Sequence, residues 1–206
     1  MLKNAFIEVA KKYSGNSNSI MELWSEIEAA YSGKKRHYHT LSHLGNLLNQ
    51  LTVYKDQIND WDAMLFALFY HDVVYNSLKQ DNEEKSAELA EKRLNSLRVP
   101  VDMVERCRKM ILATKSHRPN PDYDTNFFMD ADLSVLGEDW DAYSEYCQQV
   151  RKEYAVFPDL IYNPGRKKVL TNFLQMERIF KTEAFYEKYE ANAKKNLARE
   201  ISEILK

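Results

Sequence analysis

Two histidines and two aspartates lie in apolar, helix-like surroundings along this chain. The doublet His71-Asp72 closes the most apolar stretch, Trp61–Tyr70, while His43 lies in a leucine-rich segment upstream and Asp132 lies downstream. An ionised carboxylate beside a hydrophobic core costs several kcal/mol unless a cation or hydrogen bonds compensate for its lost hydration. The four side chains therefore predict a metal site rather than a structural salt bridge.

Mixed imidazole and carboxylate ligands favour a borderline divalent metal with positions left open for water and substrate. Such an ion acts as a Lewis acid on a phosphoryl oxygen and lowers the pKa of bound water, which gives a nucleophile near neutral pH. The sequence contains no Gly-x-Ser-x-Gly motif, P-loop or dinucleotide fingerprint. We predict one divalent ion (Mn, Fe, Co, Ni, Zn or Mg) and a hydrolytic reaction.

Helical spacing distinguishes Asp132 from Asp130, which lies two residues earlier. On a helix, Phe128, Val135 and Leu136 share the face of Asp132, whereas Asp130 falls on a more mixed face. Asp132 is therefore predicted as the ligand, and Asp130 as a supporting or solvated group outside the ligand set. The alternative for Asp132 is a carboxylate at a helix N-terminus that is satisfied by backbone amides.

The composition favours an all-α protein of one domain. Glycine and proline number only 5 each among 206 residues, and long segments rich in Ala, Leu, Glu and Lys contain few helix breakers. The chain has 29 basic and 31 acidic side chains, for a formal net charge of −2. This balance gives no basic bias for binding a nucleic-acid polymer or a membrane surface.

Cysteine usage and the N-terminal segment predict a cytoplasmic protein. Cys107 and Cys147 form neither a zinc-binding spacing nor a disulfide framework, and both are predicted as small buried hydrophobes. The first residues lack the apolar core of a signal peptide, and no apolar run approaches the roughly 20 residues of a membrane span. The sequence assigns no oligomeric state.

Apolar periodicity and capping patterns predict ten helices joined by loops. Ser19–Glu22 and Asp81–Glu84 are capping-box patterns that open the second and fifth helices, and Asn163-Pro164-Gly165 separates two C-terminal helices. The predicted helices cover about 2–13, 20–31, the leucines of 41–51, 60–75, 81–97, 100–116, 125–136, 139–156, 165–180 and 182–205.

The order His43, His71-Asp72, Asp132 resembles the HD-domain superfamily of metal-dependent phosphohydrolases, which is named for its His-Asp doublet. The resemblance implies that these four residues are metal ligands and that the site lies among the central helices of an all-α bundle. It covers about residues 30–140 by motif and the C-terminal helices more loosely. One HD-type domain is therefore expected over residues 1–206, with helices 141–206 packing on the motif-bearing core.

Segments around these ligands resemble a bacterial subgroup of uncharacterised predicted HD phosphohydrolases. They are Arg36-His-Tyr-His39, Asp81-Asn-Glu-Glu-Lys-Ser86 and Ala113-Thr-Lys-Ser-His117. In some members an acidic residue soon after the doublet acts on the attacking water, which implies Glu83 or Glu84 as catalytic groups together with Asp72. Glu84 can instead complete a capping box, so Glu83 is preferred.

Four residues are predicted to contact the substrate, namely Arg36, His39, Lys115 and His117. A forked guanidinium and a movable ammonium both suit phosphate, although Lys115 can instead be an exposed lysine that interacts with a helix dipole. His37 and His39 face opposite ways if the loop is extended, and His39 is preferred. Two-metal family members have extra histidines after the doublet. Because only His117 is available here, a single-metal site is expected.

These features predict a hydrolase that cleaves a phosphomonoester or phosphoanhydride of a small phosphorylated substrate, a nucleotide, with a metal-activated water. The alternative is a non-catalytic sensor that binds a nucleotide through the same pocket. A two-iron, oxygen-activating site is a third hypothesis, but it needs more ligands than the sequence offers. A structural or adaptor role would leave the purified protein without metal.

Overall fold

The computed structural model describes residues 1–204, which form α-helices and loops with no strand in that range. The predicted all-α class is therefore confirmed. No helix within these residues has the length and apolar character needed to cross a membrane. The helices are α1 (Leu2–Lys11), α2 (Ser17–Tyr31), α3 (Leu41–Val53), α4 (Trp61–Tyr70), α5 (Asn82–Ser96), α6 (Val101–Ala113), α7 (Tyr123–Asp132), α8 (Trp140–Glu153), α9 (Asp159–Leu174) and α10 (Glu183–Ile204), with short 3-10 helices at Lys55–Gln57 and Leu133–Gly137.

The start of α2 differs from the sequence prediction because a different residue caps the helix. The side chain of Asn16 accepts hydrogen bonds from the backbone N–H groups of Asn18 and Ser19, both at 3.1 Å. Asparagine is among the preferred N-cap residues, since its side chain satisfies amides that have no partner within the helix. The predicted capping box beginning at Ser19 is therefore wrong, and α2 starts at Ser17, three residues before the predicted start at residue 20.

Other predicted boundaries are also wrong. Helix α6 ends at Ala113 rather than near 116, and α7 ends at Asp132 rather than near 136. Helix α4 ends at Tyr70 rather than near Tyr75, so residues 71–80 form an irregular segment. Helix α9 runs through Pro164, where the sequence predicted a break. Proline lacks the amide hydrogen of an interior helical bond and usually ends or kinks a helix, which is why the pattern was misleading. The earlier end of α4 matters more, because it leaves the His-Asp doublet at the point where the helix stops.

The chain divides into two compact units, Met1–Met129 and Asp130–Lys206, with the boundary inside α7. In the first unit every residue of α4 from Ala63 to Tyr70 is buried, and α4 packs against α1, α3, α5 and α6. The predicted central position of this helix is thereby confirmed. In the second unit α10 packs along α9 and along the 3-10 helix Leu133–Gly137. The single-domain interpretation stays a prediction.

The second unit contains a buried polar network that the sequence did not predict. Arg166 donates to Glu200 from Nε at 2.7 Å and from Nη2 at 3.0 Å, and the hydroxyl of Tyr143 donates to the same carboxylate. Nη1 of Arg166 also donates to the hydroxyl of Tyr146 at 3.2 Å. Arginine and glutamate are rarely this buried unless they are paired, and here the forked geometry supplies the pairing.

The two cysteines differ in burial. Cys107 is buried in the first unit, as predicted, whereas Cys147 is only partly buried. Burial raises the pKa of both thiols, that of Cys147 to about 12. The protonated thiol is therefore the favoured form at both positions near neutral pH.

Candidate metal centre

Two helices and the residue that directly follows a third supply the side chains of a candidate metal centre. His43 is the third residue of α3, which is anchored by the buried leucines 44, 47, 48 and 51. His71 follows the last residue of α4 directly and keeps helical backbone angles, with φ −58° and ψ −39°. Asp132 is the last residue of α7. The two histidines are 5% and 1% exposed, so their ring nitrogens are largely withdrawn from water.

The side chains of His43, His71 and Asp132 converge on one point. Each offers a ligand atom, and these atoms all lie within 4.8 Å of one another. The two Nε2 atoms of the histidines are 3.2 Å apart. Among the described residues, these three form the one group of histidine, cysteine or acidic side chains that are spaced closely enough to hold a metal ion.

The position of Asp132 follows from the packing of α7 beside His71. The ring of Phe128 lies against the imidazole of His71, with centroids 5.6 Å apart in an edge-on arrangement. Residues four positions apart on a helix occupy the same face, so Asp132 emerges one turn beyond Phe128. The spacing to Phe128 that favoured Asp132 as the ligand is therefore confirmed. Val135 and Leu136 lie beyond the end of α7, in the 3-10 helix Leu133–Gly137, so their predicted place on the same α-helical face is wrong.

A backbone carbonyl fixes the tautomer of His71. Its Nδ1 lies 3.0 Å from the carbonyl oxygen of Leu68. Because a carbonyl oxygen can only accept, Nδ1 carries a proton, and in the neutral imidazole the lone pair is on Nε2. That Nε2 faces Nε2 of His43 and, at 3.0 Å, Oδ2 of Asp72. A histidine oriented in this way by a backbone carbonyl is the usual arrangement at metal centres.

Asp72 lies beside the three-residue group rather than within it. Its Oδ2 is 3.0 Å from Nε2 of His71 and 3.8 Å from Nε2 of His39. The Asp72 side chain is 17% exposed, whereas that of His71 is 1% exposed. The doublet therefore presents one buried imidazole and one partly exposed carboxylate, as expected for adjacent residues that point in different directions around a helix end.

Two residues that the sequence analysis did not single out hold the segment after α4. The backbone N–H of Asp72 donates to the hydroxyl of Tyr31 at 3.2 Å. One turn into α5, Ser86 is fully buried, and its hydroxyl accepts from Val74 N–H at 3.1 Å and donates to the Val74 carbonyl at 3.2 Å. A serine among buried alanines was the only sequence signal for this contact, and its partner is twelve residues away.

The loop 34–40 brings His39 toward the doublet. His37 is exposed, while the ring of His39 lies 4.2 Å from that of Tyr75, centroid to centroid. The ring of Tyr38 packs against that of His43 at 4.9 Å. Arg36, which was predicted to contact phosphate, uses its two terminal nitrogens for backbone carbonyls. Its role as a substrate contact stays a prediction.

The remaining predicted site residues lie around α5 and the end of α6. The ammonium group of Lys115 pairs with the carboxylate of Glu84 and donates to the carbonyl of Gln80 at 2.7 Å. The hydrogen bond and charge of Lys115 lower the pKa of Glu84, and the pKa of Lys115 is raised in return. The side chain of Asp81 makes no capping hydrogen bond, so the predicted capping box is wrong.

The catalytic role of Glu83 and the substrate contact of His117 stay predictions. Glu83 is half-buried in the first turn of α5. His117 adopts the left-handed backbone conformation, with φ 50°, just after α6. This conformation is costly for residues other than glycine, although histidine tolerates it better than bulkier or branched residues do. Neither residue belongs to the group of three converging ligands.

Asp130 is neither solvated nor directed to the metal centre. It is fully buried and accepts hydrogen bonds from the backbone of Lys181 at 2.8 and 2.9 Å and of Thr182 at 2.7 Å. Burial raises the pKa of Asp130, and these hydrogen bonds partly counteract that rise. The prediction that the side chain of Asp130 is solvated is therefore wrong. Asp130 fixes the segment that leads into α10.

The comparisons with known proteins add no family to this geometry. No protein-family model matches the chain, and no curated protein or solved structure does so either.

Proposed function

We propose that this chain is a metal-dependent phosphohydrolase of the HD type, acting on a phosphomonoester or phosphoanhydride of a nucleotide. The observation that carries the proposal is the convergence of His43, His71 and Asp132 within 4.8 Å, with Asp72 beside them. Buried imidazoles grouped with carboxylates are costly in an apolar setting unless a cation offsets their lost hydration.

The donor set fits a borderline divalent ion. Nε2 of His71 is the unprotonated nitrogen of the neutral ring because Nδ1 donates to Leu68, and Nε2 of His43 lies 3.2 Å away. Two imidazoles and a carboxylate suit Mn, Fe, Co, Ni or Zn. When bound, such an ion would polarise a phosphoryl oxygen and activate water near neutral pH. His43, His71, Asp132 and Asp72 would hold it.

The surrounding residues of the first unit suit an anionic substrate. The loop 34–40 contains three basic residues in succession and no acidic residue, and the first two of them, Lys34 and Lys35, are exposed. Nearby, the half-buried imidazole of His39 lies 3.8 Å from the carboxylate of Asp72. A basic loop raises the local concentration of phosphorylated molecules, and a partly exposed imidazole can donate a hydrogen bond to a phosphate oxygen.

Metal analysis followed by a substrate panel tests this proposal. The purified protein should contain or bind a divalent ion and release phosphate from at least one nucleotide when assayed with Mn²⁺, Co²⁺, Ni²⁺ or Mg²⁺. The variants Asp72→Ala and Asp132→Ala should lose phosphate release. Asp56→Ala, which changes an exposed carboxylate of the unit that contains Asp72, is the matched control and should retain it.

Three results would count against the hydrolase. Full activity in metal-free protein, or in Asp132→Ala, would exclude a reaction at this centre. Tight nucleotide binding without product would instead identify the site as that of a sensor. Iron-dependent oxygen uptake without phosphate release would point to redox chemistry.

A further inference from the structure

We propose that Arg36 and Tyr31 form a positioning pair that holds the backbone of Asp72 and the loop of His39 in place for metal binding. This inference rests on the proposed metal site. It differs from the role of phosphate contact that the sequence predicted for Arg36, because it makes Arg36 act through other residues. The two roles give opposite results in binding experiments.

Two aromatic rings fix the guanidinium group of Arg36. Its Cζ lies 4.8 Å from the ring centroid of Tyr31 and 5.4 Å from that of Tyr75. Both distances are within the roughly 6 Å at which a cation is attracted to the face of an aromatic ring. Because Tyr31 ends α2 and Tyr75 follows the doublet, the guanidinium joins two separate segments.

Two directional hydrogen bonds define what the guanidinium holds. Nη1 donates to the carbonyl oxygen of His39 at 3.2 Å, and Nη2 donates to that of Val73 at 2.9 Å. Val73 directly follows Asp72, and His39 approaches the carboxylate of Asp72. One planar side chain therefore sets the separation between the loop 34–40 and the segment that carries Asp72.

Tyr31 contacts the backbone of Asp72 directly. Its hydroxyl accepts the backbone N–H of Asp72 at 3.2 Å, and the residue is only 1% exposed. Asp72 lies beyond the last residue of α4, so side-chain contacts orient it where the helix ends. Residues that orient ligands in this way commonly change metal affinity by about 10- to 100-fold when they are replaced.

The experiment measures binding of Co²⁺ to the metal-free full-length protein, by calorimetry and by the visible absorption of the bound ion. Arg36→Lys keeps the charge but loses the planar fork that reaches both carbonyls. Tyr31→Phe keeps the ring and removes only the hydroxyl that accepts from Asp72. We expect each variant to weaken Co²⁺ binding by about tenfold and to alter the visible spectrum.

Arg93→Lys is the matched control. Arg93 is also a half-buried forked arginine, and it donates from Nε and Nη2 to Glu26, both at 2.7 Å. Its replacement should lower the melting temperature of the metal-free protein without changing Co²⁺ affinity or the spectrum. A general loss of stability would therefore be separated from a loss of ligand orientation.

A second titration uses inorganic phosphate with Co²⁺-saturated protein. We expect Arg36→Lys to bind phosphate as the wild type does. Unchanged Co²⁺ affinity together with weakened phosphate binding would overturn the inference and restore Arg36 as a phosphate contact. If both affinities equal those of the wild type, the positioning role is also wrong. If the wild type itself binds no Co²⁺, the proposed metal site fails and this inference fails with it.

Discussion

The charge of Glu200, in the second unit, depends on its buried neighbours. Its carboxylate lies in the buried network with Arg166 and Tyr143. Burial alone would raise the pKa of Glu200, but the hydrogen bonds and charge of Arg166, with the Tyr143 hydroxyl, outweigh that effect and hold the pKa below 4.5. The ionised form is therefore the one that the folded protein stabilises.

Removing this carboxylate should be strongly destabilising. Glu200→Ala leaves the guanidinium of Arg166 buried without its partner, and breaking a buried pair from one side typically costs about 3–5 kcal/mol. Denaturant unfolding at pH 7 measures this loss. Glu203→Ala is the matched control, because Glu203 forms an exposed pair with Arg199 on the same helix, and such pairs contribute about 0–1 kcal/mol.

The pH dependence of that difference has a defined sign. A carboxylate whose pKa is lowered by folding stabilises the folded protein when the pH is above the pKa of that group in the unfolded chain, near 4.5. This contribution is lost as the pH falls through the lower pKa of the folded protein. The difference between wild type and Glu200→Ala should therefore shrink in acid below pH 4.5. A difference that stayed constant or grew would show that Glu200 is not held in its ionised form.

The residues of the candidate centre were more predictable than those that support them. His43, His71 and Asp132 stood out because polar groups at helical spacing among apolar neighbours are conspicuous in a sequence. Their supports were not, because Tyr31 and Ser86 act through contacts with segments 41 and 12 residues away. A hydrogen bond between distant segments leaves no local pattern.

Apolar periodicity predicted which segments are helical better than it predicted the residues at which the helices end. The end of α4 at Tyr70 was missed because the apolar pattern continues through Val73 and Val74. Helix α5 ends at Ser96, within one residue of the predicted Leu97. Beyond it Arg98 adopts the left-handed conformation, at φ 64°, and Val99 N–H donates to the carbonyl of Leu94. Glycine usually marks such a motif, and an arginine gives no signal for it.

Gly137 has a packing role that its position at the end of a 3-10 helix does not reveal. A Cβ at this residue would lie 2.5 Å from the Cβ of Tyr189 and 2.7 Å from its carbonyl oxygen, which is backbone of α10. Asn192 and Asn196 of the same helix donate to carbonyls of residues 136–138 and hold the two segments together. The absence of a side chain therefore permits this close approach.

We expect Gly137→Ala to lower the free energy of unfolding by about 1–3 kcal/mol, because backbone must shift to admit the methyl group. Gly165→Ala is the matched control in the same unit. It lies within α9 with nothing inside 4 Å of its Cβ position, so it should stabilise by about 0.5–1 kcal/mol. Denaturant unfolding of both variants decides the point. Equal effects would mean that α10 does not constrain Gly137.

At the scale of the whole molecule, composition was sufficient to predict the fold class. Scarce glycine and proline, together with long segments of good helix formers, leave few positions for the turns of a sheet protein. The division near Met129 was not predictable, because α7 runs through it without a break in the apolar pattern. Composition records what kinds of elements form, whereas grouping of elements depends on contacts between them.

A metal that binds the folded chain at His43, His71 and Asp132 must also stabilise it. These ligands come from α3, the end of α4 and α7 and are separated by up to 89 residues of sequence, so the unfolded chain offers no equivalent site. Metal at a hundred times its dissociation constant then adds about 2.7 kcal/mol. For a chain of this length that corresponds to a rise in melting temperature of about 5–10 °C.

Thermal unfolding with and without Co²⁺ measures this linkage, and a chelator should reverse the rise. Asp132→Ala should abolish the shift, while Asp56→Ala, which alters an exposed carboxylate outside the site, should preserve it. Because stabilisation requires only binding and not turnover, this outcome is independent of which phosphorylated compound is the substrate. A shift of equal size in Asp132→Ala would place the bound ion on other side chains and remove the physical basis for the proposed hydrolase.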